Sequence, residues 1–187
     1  MKYAKIAFEA VTIIFAAFGH FLFNISPPDE TGQFAVGLSS FIAVCVFLFI
    51  VAIRSNQPRL KYKRNWLIVA SVLFVLAIGS GLSYSSNYNK LVTRVPPETR
   101  IRELIIGTEW TEEGKAYREE HPEKTVAEIL YDYGGESCIE LVWKKESIVD
   151  AKNRLTRSYV LFVVMLSGTI FCLGEGILTA PMKVNPE

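Results

Sequence analysis

Four stretches of this chain run almost without charge: Ile6–Ile25, Phe34–Ile53, Trp66–Tyr84 and Tyr159–Thr179. Each is about 20 residues long, the length a helix rising about 1.5 Å per residue needs to cross roughly 30 Å of hydrocarbon. Lipid offers no partner to an open backbone, so helices are the expected form. A soluble chain of the same composition would mix apolar and polar residues throughout. Trp66, Tyr84 and Tyr159 stand at the ends of runs, where amphipathic rings prefer the headgroup level. The expected fold is an all-α membrane protein, with four transmembrane helices and a small, mostly helical soluble domain between helices 3 and 4. Lys2 and Lys5 precede the first run as they would in a signal peptide. The run is too long for that, and Phe21-Leu-Phe-Asn24 lacks small residues for cleavage, so an uncleaved helix is expected.

Charge sets the orientation. The short connection 54–65 carries Arg54, Arg59, Lys61, Lys63 and Arg64 and no acid, whereas 26–33 carries Asp29 and Glu30 and no base. By the positive-inside rule, both termini and the basic loop are expected in the cytoplasm. The division is then 1–84 for helices 1–3, 85–158 for a small extracytoplasmic domain and stalk, and 159–187 for helix 4 and a short cytoplasmic tail. A bacterial inner (plasma) membrane is the expected setting. The net charge is +1, so no global field attracts nucleic acid, and none is expected as a partner. Cys45, Cys138 and Cys172 are the only cysteines, and 85–158 holds one of them, which leaves no disulfide framework.

Within 85–158, Pro96-Pro97 ends any continuation of the third helix. Pro97 then opens a helix through Leu104 and Ile105 to Gly107, although Ile101–Ile106 and Ile139–Trp143 are apolar enough to be short strands. Thr111, followed by Glu112 and Glu113, predicts a helix start, and His121-Pro122 its end. Thr125-Val-Ala-Glu128 has capping-box spacing, with Gly134-Gly135 as the stop for Val126–Tyr133. Ser147–Asp150 repeats that spacing. One long helix is expected from Ile148 through Thr179, with Ile148, Ala151 and Leu155 on the face that packs against the domain.

Glu9 and Glu175 are carboxylates inside apolar runs, which makes them candidates for a proton or cation site. The alternative is a headgroup pairing of Glu9 with Lys5 and a neutral or bonded Glu175. Gly168, Gly174 and Gly176 mark a close helix contact or a gate on the fourth helix. Trp110, Tyr131, Tyr133 and Trp143 form either a partner-binding face or the core of the small domain. No catalytic set, metal spacing, phosphate loop or cofactor fingerprint is visible, so no catalytic residue, metal or cofactor is assigned.

The layout resembles that of tetraspanins and of quinone-linked membrane disulfide oxidases. The first family marks its large loop with a Cys-Cys-Gly motif, and the second needs cysteine pairs in both outer loops. Here 85–158 offers Cys138 alone and 26–33 offers none, so membership in neither follows. The expected role is non-enzymatic: an outer domain binds a partner or senses a signal and relays it through a long fourth helix. The alternative is an oligomeric pore, channel or transporter subunit using Glu175. Expected partners are the lipid bilayer and either further copies of the chain or another membrane protein.

Overall fold

The computed structural model describes residues 25–56, 63–95 and 102–178. The first apolar run, except Ile25, lies outside the described residues, and with it Glu9. Three helices dominate the rest: α1 (Asp29–Asn56), α2 (Lys63–Leu91) and α6 (Lys145–Leu178). Each contains a stretch long and apolar enough to cross a membrane: Glu30–Ile50, Arg64–Leu91 and Lys145–Ile177. Their outward surfaces are apolar, with Phe34, Phe41, Phe49, Val75, Leu82 and Ile177 exposed. A soluble protein does not present so continuous an apolar sheath. These features are compatible with an integral membrane protein.

Helix α6 is the hub. It packs against α2 and α1, whereas α1 and α2 make little direct contact among the described residues. Small and aromatic side chains line its buried stripe: Ala151, Leu155, Tyr159, Val163, Ser167, Phe171 and Glu175. Steps of four residues put consecutive positions on neighbouring turns, and the stripe winds gradually around the helix as it passes from one partner to the next. Three buried hydroxyls are satisfied within their own helices. Ser39 donates to Val36 O, Ser80 to Leu76 O and Thr169 to Met165 O.

The small domain begins without a linker. Helix α2 runs past Tyr84 to Leu91, and strand β1 (Val92–Val95) follows at once, paired antiparallel with β2 (Arg102–Ile105). Residues 102–105 are therefore strand, not the helix favoured from sequence, and the fold is mostly helical rather than all-α. The β-branched Val92, Thr93 and Val95 supply a partner with strong strand preference. Successive residues face opposite sides. Val95 and Leu104 enter the domain core with Ile129, Leu130, Val142, Trp143 and Ile148. Ile105 turns the other way, to Leu91, Ala151, Leu155 and Tyr159. The hairpin is thus a plate with one core on each side.

Beyond it lie α3 (Glu112–Glu120), α4 (Val126–Asp132), a 3-10 turn (Gly135–Cys138) and α5 (Ile139–Val142). The caps follow the sequence. Thr111 accepts from the Gly114 N–H, and Thr125 with Glu128 forms a complete capping box. Gly134 and Gly135 take positive φ, 101° and 76°, where side chains are strained. The start of α6 is a correction. The helix begins at Lys145, and Ser147 does not cap it. The Ser147 hydroxyl donates to Lys144 O (2.8 Å) and lies 3.2 Å from Glu109 O. Gly107 is fixed by close approach instead of by a helix end: a Cβ there would lie 2.3 Å from Ser147 Oγ and 2.7 Å from Trp143 Cβ.

Candidate functional site

Three polar or aromatic assemblies stand out. The first is a collar where α2, the hairpin and α6 converge. Strand register sets Arg94 opposite Glu103, and alternation turns both toward α2. Arg94 Nε donates to Glu103 Oε1 at 3.0 Å, and the Tyr88 hydroxyl donates to Glu103 Oε2 at 2.5 Å. The Tyr88 hydroxyl, and after it Arg94, holds the Glu103 carboxyl below the usual carboxylate range, so it is charged at neutral pH. One turn down α2, the Tyr84 hydroxyl donates to Ile25 O, and its ring meets those of Tyr88 and Tyr159 edge-on at 5.9 and 5.5 Å. Between these groups opens a cleft of about 490 Å³. Ile25, Gly81 and Phe162 form its apolar floor, and Ser85, Tyr88, Arg94 and Glu103 its polar rim.

The second assembly is the aromatic cluster of the small domain. Trp143 is buried and pairs with Trp110 as an isolated bridge, rings 5.0 Å apart. Arg118 lies 5.0 Å above the Trp110 ring. Tyr117 meets Tyr133 edge-on at 5.2 Å. Its hydroxyl donates to Asp132, while Lys124 bonds both (2.9 Å each), which locks α3 to α4. The four aromatic residues singled out from sequence do not share one exposed face. Trp143 belongs to the core, Trp110 and Tyr133 are half-buried against it, and Tyr131 alone is exposed.

The third lies at the far end of α6. Glu175 is buried, at 7% exposure, and engaged by a neighbour. Beside it, Phe171 and Cys172 pack with Ile50, Trp66 and Ala70. The glycines divide. A Cβ on Gly176 would touch Trp66 and Leu67 of α2 at 3.5 and 3.6 Å, and one on Gly168 would meet Leu73 at 3.3 Å. Gly174 faces open space. Gly168 and Gly176 therefore sit on the α2 contact, and Gly174 does not. The proton or cation site expected from Glu9 and Glu175 rests in part on Glu9, which lies outside the described residues. No group of three or more potential metal ligands occurs among the described residues.

Sequence reasoning missed the collar. Its signal was present as two short aliphatic runs flanking Pro96-Pro97, with Arg94 and Glu103 placed to pair across a hairpin. No protein-family model, curated protein or solved structure matches this chain.

Proposed function

We propose that this protein is a non-enzymatic membrane relay. Four helices span a bacterial-type inner membrane, with both termini and the basic loop in the cytoplasm and residues 85–158 outside. The outer domain binds a partner or senses a condition, and α6 carries its state to the cytoplasmic side. The observation that carries this reading is the continuity of α6. This single helix of 34 residues spans roughly 50 Å at about 1.5 Å per residue. Along it, Ile148 sits in the domain core, Ala151 through Val163 in the collar, and Phe171 and Cys172 in the far cluster. A packed rod held at both ends transmits displacement, because close-packed interiors yield little. The exposed apolar side chains Tyr131 and Leu141 supply a surface for a partner. The pore reading has less support, since the buried hydroxyls of Ser39, Ser80 and Thr169 are back-bonded within their own helices.

The test uses a native reporter, the buried thiol of Cys172. With Cys45 and Cys138 replaced by serine, Trp143→Ala loosens the outer domain, and the rate of Cys172 labelling by a membrane-permeant maleimide is followed. Labelling accelerates several-fold in the unbroken helix. Inserting Gly-Gly between Lys152 and Asn153 removes that difference. A Cys172 rate indifferent to Trp143→Ala sinks the relay.

A further inference from the structure

The collar cleft has features of a ligand site that the relay does not require. Its volume, about 490 Å³, falls within the roughly 300–1,000 Å³ of small-molecule sites. It is amphipathic along one direction. Ile25, Gly81 and Phe162 form the floor, and Leu82 and Leu161, next in sequence to two of them, are exposed on the apolar sheath. The rim carries two opposite charges side by side. Both can be reached, the Arg94 side chain being 74% exposed and that of Glu103 33%. Tyr84 and Tyr88 form the wall in the last two turns of α2, and amphipathic rings at the end of a span are expected at the headgroup level.

A purely anionic ligand meets Arg94 but is repelled by Glu103, and a purely cationic one meets the reverse. A dipolar headgroup satisfies both: its phosphate lies toward Arg94 and its ammonium toward Glu103 and the Tyr88 ring. The acid is best matched by an ammonium with N–H donors, because a quaternary ammonium cannot donate. We infer that this cleft binds a phosphatidylethanolamine-type lipid from the leaflet on the domain's side, with an acyl chain along the Gly81–Phe162 floor. The bound lipid bridges α2, the hairpin and α6 at the point where the small domain joins the membrane helices. The inference stands apart from the relay, since it concerns neither Glu175 nor the direction of any signal.

The full chain, purified in detergent, is offered equal amounts of phosphatidylethanolamine, phosphatidylcholine and phosphatidylglycerol, and retained lipid is counted by native mass spectrometry. The wild type retains phosphatidylethanolamine preferentially. Glu103→Gln lowers that preference roughly tenfold, as expected for one charge-assisted hydrogen bond. Gly81→Leu displaces the Phe162 ring, which a Cβ at Gly81 would already approach to 3.1 Å, and so disrupts the floor without touching the charged pair and lowers retention of all three lipids. Excess phosphoethanolamine without chains does not displace the lipid. Equal retention of the three lipids by the wild type overturns the proposal, as does a preference for phosphatidylglycerol. A preference that survives Glu103→Gln also overturns it, as does undiminished retention in Gly81→Leu, and displacement by free phosphoethanolamine overturns the lipid form of the site.

Discussion

Gly174 and Gly176 stand two residues apart on α6 and meet different surroundings. Space beside Gly174 is open, while Gly176 lies against Trp66 and Leu67. Gly176→Leu forces a branched side chain into the α2 contact and is expected to destabilise by about 1–3 kcal/mol. Gly174→Ala should leave stability unchanged or slightly improved, since alanine is the better helix former. Thermal unfolding in detergent, followed by tryptophan fluorescence, separates the two. A glycine-rich stretch is legible in sequence as a place for close approach, but which glycine makes it depends on the rotation of the helix against its neighbour. Trp143 shows the same limit. Its aromatic character was plain, yet its burial follows from bridging Trp110 across 33 residues of chain, a non-local fact.

Among the elements, local chemistry was most legible where it is self-contained. Helices α3 and α4 begin at the threonines the sequence marks, because a cap needs only its own next three residues. Thr111 does more than cap. Its hydroxyl also donates to Leu141 O and so fastens α3 to α5. Thr111→Ala is expected to cost about 1–2 kcal/mol, at the upper end for a cap, read as a lower urea midpoint for loss of the domain's protease resistance. The hairpin was less legible, because aliphatic runs of four residues suit a helix or a strand until a partner is known.

The domain's pH response follows from its carboxylates. Hydrogen bonds from the Thr125 backbone and hydroxyl hold Glu128 below the usual range, Lys124 and then Tyr117 do so for Asp132, and Tyr88 for Glu103. Depressed folded-state values give stability that is present above the unfolded value, about 4, and lost as pH falls through the folded values. Limited proteolysis should show equal protection at about pH 7 and pH 5, with loss below about pH 4.

At the scale of the whole molecule, the apolar runs made three membrane-competent helices legible, and the charged stretch between the last two marked the domain. A long last helix packed on the domain was expected; hidden from sequence was the way α2 and the hairpin join it. No flexible linker separates domain from bundle: α2 passes directly into β1, α6 starts within the domain, and Leu91, Ile105, Ala151 and Tyr84 share one core. That junction depends on which faces meet in three dimensions, which periodicity alone does not specify. It makes the side of the membrane on which the domain lies decisive for the proposed relay. The direct measurement replaces the native cysteines with serine, places one at the exposed position Glu119 and treats intact cells with a membrane-impermeant maleimide. Labelling of intact cells is expected for the proposed relay. Labelling only after lysis would contradict it, placing the domain in the cytoplasm and reversing the direction in which α6 carries a signal.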